Sequence, residues 1–153
     1  IGARFAASLG GKSGQSGQFP YECNVVVEAL ADGQFLCTGE MYRGTHTDLG
    51  PMALLKIDTD QADVRVIVGG RRFQCLDLAI FRHLGVEPTE QRILAVKSTA
   101  HFRADFDPIA HDTLLVESPG AHPCRLTGLD YRRLRPGVRL EAMGPEFSGP
   151  TDA

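Results

Sequence analysis

Tyr21–Ala31 reads YECNVVVEALA and is followed by Asp32 and Gly33. The run is rich in β-branched residues, which suit a pleated strand. The Asp-Gly pair favours positive φ and the primed turns of tight hairpins. The sequence therefore predicts a strand that turns at Asp32 and Gly33 and returns antiparallel over residues 34–38. Ahead of it, Arg4–Leu9 carries a strand-like pattern of its own. Met52–Ile57 and residues 64–68 form a second predicted hairpin across the polar run DTDQAD. The first half of the chain reads as an antiparallel β-meander.

The second half changes period. Residues 77–84, DLAIFRHL, place a capping residue at Asp77, apolar residues at 78, 80, 81 and 84, and Gly85 as a stop, which predicts a helix. A short strand is predicted over residues 93–96, running into KSTAHFRADFDPIAHD. There Phe102, Phe106 and Ile109 fall at i, i+4 and i+7, one face of a helix. Pro108 predicts a kink or a restart capped by Asp107, because a proline inside a helix removes a hydrogen bond. Residues 113–116 read as another strand, and from Glu141 onward the chain is Gly/Pro-rich and expected to be loose. The expected organisation is a single α+β domain over residues 1–140, an antiparallel β-meander followed by β/α units, with a flexible tail over residues 141–153.

With 153 residues the chain is long enough for one core. A formal net charge of −3 argues against a broad electrostatic grip on nucleic acid. The local cluster of Arg132, Arg133, Arg135 and Arg139 has only Tyr131 as an aromatic neighbour and reads as a solvated face. No apolar run approaches the roughly 18 residues of a membrane span. The cysteines at 23, 37, 75 and 124 form no C-x-x-C pair, so a structural zinc site of the usual spacing is absent. No signal peptide is visible, and core thiols in a reducing compartment fit a cytoplasmic location. Because Ile1 opens directly into a strand pattern, the chain is expected to be a piece of something longer.

Two stretches carry chemistry. AASLGGKSG, from Ala6 to Gly14, satisfies a loose phosphate-loop pattern with Gly11, Lys12 and Ser13. A working phosphate loop is followed at once by a helix whose N-terminus faces the anion. Here GQSGQFP follows, and glycine costs about 1 kcal/mol and proline about 3 relative to alanine inside a helix. The match reads as accidental, and the stretch as a mobile Gly loop. The second stretch crowds Lys97, Ser98, His101 and Arg103 after a predicted strand and at a helix start. Two cations, a hydroxyl and an imidazole suit capture of a carboxylate, stabilisation of developing negative charge, or proton transfer. The plainer alternative is a helix N-cap at Ser98 or Thr99 with surface cations. His46, His83, His101, His111 and His122 show no pair at the spacing of H-E-x-x-H, so no complete metal site is read from this chain.

The order of SLGGKSG, VVVEALADGQFLCTGEMYRGTHTDLGPMALLKI, GGRRFQCLDLAIFRHLGVEP, ILAVKSTAHFRADFDPIA and YRRLRP resembles the C-terminal domain of the MlrC-like (microcystinase C) zinc metallopeptidases, from about residue 8 to 136. The resemblance implies a two-domain cytoplasmic amide hydrolase whose catalytic zinc is held by an N-terminal catalytic domain absent here. That domain and a peptide or small amide substrate are then the partners. Lys97, Ser98, His101, Phe102 and Arg103 match the family's K-S-x-x-H-F-R motif, with His101 and Arg103 as the catalytic candidates and Lys97 and Ser98 facing substrate. Gly10, Gly11 and Lys12 match its Gly-Gly-Lys loop, with Lys12 able to meet a carboxylate. Arg43, Gly44, Asp48, Leu49 and Gly50 match the loop after the first hairpin, and Asp77 a helix start. Two readings of other classes stand beside it. One is a non-catalytic module that binds an anion or a peptide, and the other a nucleotide-using enzyme dependent on Lys12.

Overall fold

The structure, a computed structural model, describes residues 1–14, 17–98, 100–118 and 125–148. It is an α+β fold. The chain divides into two compact units, Ile1–Gly10 with Pro20–Leu114, and Gly11–Phe19 with Leu115–Ala153.

The first unit is built on a four-stranded antiparallel sheet in the order β1-β2-β5-β6, where β1 is Arg4–Leu9, β2 Tyr21–Ala31, β5 Met52–Ile57 and β6 Arg65–Gly69. Between β2 and β5 the chain makes a separate ribbon of β3, Gln34–Leu36, and β4, His46–Asp48. The return after Asp32 and Gly33 is thus a strand, but it pairs with β4 and not with β2. On β2 the β5 side is filled through to Ala31, whereas β1 pairs only with Tyr21–Val26. Gly33 is the pivot. Its φ is +79°, and a Cβ there would overlap the Gly50 carbonyl oxygen.

A register shift between Val27 and Ala29 sets the two faces of the sheet. Side chains alternate sides along a strand, and one extra residue flips the alternation. Val25 and Val27 therefore join Leu55 in one apolar cluster, while Ala29 and Ala31 pack on the other, with Leu49, Met52, Leu54, Ile80 and Leu84. Glu28, the extra residue, reaches across β5 to pair with Arg65 of β6 at 2.6 Å.

The predicted helix at 77–84 is present with both of its end signals. Asp77 Oδ1 accepts the Ala79 N–H at 2.8 Å, and the regular part, α1, is Ala79–Arg82. Gly85, at φ +76°, closes it: its N–H reaches the Arg82 carbonyl and that of Val86 reaches Phe81. These are the two bonds of a Schellman ending. The second predicted helix is α2, Arg103–Phe106, which passes into a 3₁₀ turn at Asp107–Ile109. Pro108 brings a restart as a tighter turn, but Asp107 is its first residue and not its cap: the N-cap is Phe106, with no side-chain bond.

Residues 93–96 and 113–116, predicted as strands, have no ladder partner among the described residues. Strand-forming side chains alone do not make a strand, because the backbone needs an adjacent edge. β1 and β6 form the two edges of the sheet, and neither pairs with these segments among the described residues.

In the second unit, the Gly137 N–H reaches the Phe147 carbonyl and the Phe147 N–H reaches that of Val138, and Arg139 bridges Glu146. Arg132, Arg133, Arg135 and Arg139 are all exposed. No helix among the described residues is long and apolar enough to cross a membrane.

Candidate functional site

The stretch KSTAHFR, residues 97–103, leads into α2, and two phenylalanines fix it. Phe102 and Phe106 are buried, their rings 6.5 Å apart, and Phe106 meets Phe81 of α1 edge-on at 5.9 Å. This apolar anchor leaves the polar residues between and around the rings free to serve other purposes. His101 is exposed, and its Nδ1 lies 3.0 Å from Gln74 Oε1. With the amide oxygen as acceptor, the proton sits on Nδ1 and Nε2 is the basic nitrogen. Arg103 stacks over the Phe102 ring at 5.4 Å and pairs with Asp107 at 3.0 Å. Lys97 is exposed. The hydroxyl of Ser98 is buried and has no hydrogen-bond partner among the described residues, an arrangement that costs about 1–3 kcal/mol.

Ser98 is therefore not the helix cap. Regular structure begins only at Arg103, and no side chain caps it; Thr99, the other candidate cap, lies outside the described residues, as do His122 and Cys124. A one-turn helix also sums few peptide dipoles, so the positive character of the stretch comes from Lys97 and Arg103.

Two carboxylates that sequence reasoning treated lightly or missed organise the ground beneath this stretch. Asp77 is 1% exposed. Its Oδ2 accepts the Gly39 N–H at 2.9 Å, and the Thr38 hydroxyl approaches Oδ1 at 3.4 Å. Asp105, on α2, accepts the Glu40 N–H at 3.1 Å and the Leu78 N–H at 3.4 Å. A Cβ on Gly39 would collide with the Asp105 carboxylate, which would have to shift to admit it. Asp77 was expected as a helix cap, which it is, but it also clamps a loop remote in sequence. Asp105 carried no signal, because an aspartate in a polar helix face looks the same whether it meets solvent or a backbone amide.

The clamp brings together residues 38–40, 74–79 and 97–106. Arg43 lies in the turn just beyond, exposed. Asp48 stands at the opposite end of the β3–β4 ribbon, where it accepts the Gly50 N–H at 2.8 Å and pairs with Arg71 at 2.8 Å. Gly10 and Gly11 have φ of +61° and +60°. No helix follows Lys12 among the described residues, the feature a phosphate loop requires.

Charge and burial tune the thiols. Burial, with the Asp77 charge beside it, pushes the Cys75 thiol up to about 12, and burial raises Cys37 as well, which also bonds Thr47 at 3.1 Å. Neither is a nucleophile near neutral pH, since the thiolate is the reactive form. Among the described residues no three His, Cys, Asp or Glu side chains are placed to hold a metal ion.

A family model described as MlrC C-terminus matches residues 1–133. Microcystinase C from Sphingomonas sp is 30% identical over 118 residues, covering 77% of this chain and 22% of that protein. A solved crystal structure of a candidate metallopeptidase from Mesorhizobium sp. BNC1 is similar with a TM-score of 0.66 at 28% identity, covering 78% of this chain and 23% of that one. The chain thus spans about a fifth of the length of the curated relative it matches, 22%.

Proposed function

Because this chain belongs to the MlrC C-terminus family, we propose that it is the cleft-forming C-terminal part of a zinc-dependent metallopeptidase acting on amide bonds of small or linear peptides. The zinc belongs to the preceding part of the longer polypeptide, and no role below passes through it. The observation that carries this reading is the presentation of His101 and Arg103 on a stretch pinned from below by Phe102 and Phe106. Side chains held this way meet a substrate with little ordering left to do.

His101 offers a hydrogen bond or a proton at Nε2, oriented through the Nδ1 contact with Gln74. Arg103 and Lys97 take a substrate carboxylate. For Arg103 this means exchanging Asp107 for the ligand, an exposed pair worth under about 1 kcal/mol. The Ser98 hydroxyl is enclosed, so Ser98 joins this set through the family motif and not through an exposed group. Arg43, Asp48, Gly10, Gly11 and Lys12 are assigned to substrate binding by the family motif alone.

Steady-state kinetics of the longer polypeptide with linear peptides tests the assignment. His101→Ala is expected to lower kcat by about 100-fold or more, the usual share of a positioned acid or base. Arg103→Ala is expected to raise KM by about 10-fold, the loss of one charge-assisted contact. Unchanged kcat/KM in both variants would remove these residues from the site.

A further inference from the structure

One segment of the first unit has the side-chain pattern of a strand without being paired as one. From residue 93 to 98 exposure alternates strictly: Ile93, Ala95 and Lys97 are exposed, and Leu94, Val96 and Ser98 are half-buried. Alternation at every second residue is the signature of a strand lying on a protein surface. None of the backbone N–H groups from 92 to 98 has a partner among the described residues. Ile93, an apolar side chain, is 87% exposed, and the Ser98 hydroxyl is enclosed yet unpaired. An open backbone edge, a bare isoleucine and an orphaned hydroxyl coincide on one short stretch.

We propose that residues 93–98 are a docking strand for the preceding portion of the same longer polypeptide, which adds backbone hydrogen bonds along it and covers Ile93. This rests on the reading above that the chain is one part of a longer enzyme. The matched part is a C-terminus, and the curated relative extends well beyond it, the match covering 22% of its length. A partner joined covalently is present at high effective concentration, so even a short ladder is enough to hold it. The recognising chemistry is an extended segment whose backbone pairs along this stretch and whose apolar side chain covers Ile93. Because Lys97 and Ser98 lie on the same strand, docking sets the position of the K-S-x-x-H-F-R stretch relative to the rest of the enzyme.

Hydrogen–deuterium exchange resolved to single peptides tests this on two proteins, the 153-residue chain and the longer polypeptide that contains it. Amides 93–98 are expected to exchange near the unprotected rate in the shorter chain and about 100-fold more slowly in the longer one. Ile93→Asp is expected to return the longer polypeptide to the fast rate while leaving the melting temperature of the shorter chain unchanged. Equal exchange in the two proteins overturns the proposal. So does protection in the shorter chain that rises with its concentration, which would make a second copy the occupant. The readout requires no activity. A protected but inactive enzyme would sink the peptidase reading alone, and an active enzyme with unprotected amides would sink the docking strand alone.

Discussion

Around Asp77 the described polar groups find partners: Asp77 takes the amides of Gly39 and Ala79, and Asp105 takes those of Glu40 and Leu78. Along residues 93–98 the reverse holds: among the described residues the amides have no partner, nor does the enclosed Ser98 hydroxyl. Both regions adjoin the same K-S-x-x-H-F-R stretch. One fixes it from below and is complete within this chain. The other approaches it from the N-terminal side and is finished only when something else arrives. A structural floor is closed and rigid, whereas a seat for another part of the molecule keeps its polar groups open.

Removing the carboxylate at the centre of the closed region tests this contrast most severely. Asp77→Ala leaves the Gly39 and Ala79 amides buried without acceptors and is expected to cost about 3 kcal/mol in urea unfolding. Asp77→Asn, which keeps one acceptor oxygen, is expected to recover part of that loss. A cost below about 0.5 kcal/mol, the ordinary surface range, would mean the clamp is not structural. The open region predicts the opposite sign. Ser98→Ala in this chain removes an orphaned hydroxyl and is expected to leave stability unchanged or raise it by up to about 1 kcal/mol. Destabilisation by that amount would show that the hydroxyl is satisfied and the edge closed.

The smallest effect lies at the start of the segment that leads from α1 toward the open strand. The Arg82 guanidinium holds the Glu87 carboxyl at about 2, against an ordinary value of 4.5. A depressed carboxyl contributes stability that is fully present above pH 4.5 and is lost as pH falls toward 2. The melting temperatures of the native chain and Glu87→Gln are therefore expected to differ above pH 4.5 and to converge toward pH 2. A constant difference across that range would mean the pair contributes nothing through its charge.

The fold was legible where local chemistry was sufficient. Strands β1, β2, β5 and β6 followed from β-branched content and turn residues, and α1 from Asp77 and Gly85. The class, α+β, followed from the change of period at mid-chain. What escaped was tertiary. Nothing local says that the strand after Gly33 will leave β2 for β4, because the choice of partner is made by segments on the far side of the turn. The same holds for residues 93–96, whose composition promises a strand but whose pairing depends on a neighbour. At the candidate site, His101, Arg103 and Lys97 stood out as two cations and an imidazole within seven positions. Asp105 did not, since its partners Glu40 and Leu78 are backbone amides distant in sequence.

The account's central claim is that this chain shapes and charges a cleft whose metal is anchored in another part of the molecule. Elemental analysis of two preparations, this chain alone and the longer polypeptide, dialysed against the same zinc-containing buffer, tests it most directly. The account expects about one zinc per molecule in the longer polypeptide and only trace metal in this chain, with peptide hydrolysis following the zinc. Stoichiometric, tightly held zinc in this chain alone, accompanied by hydrolysis, would contradict it.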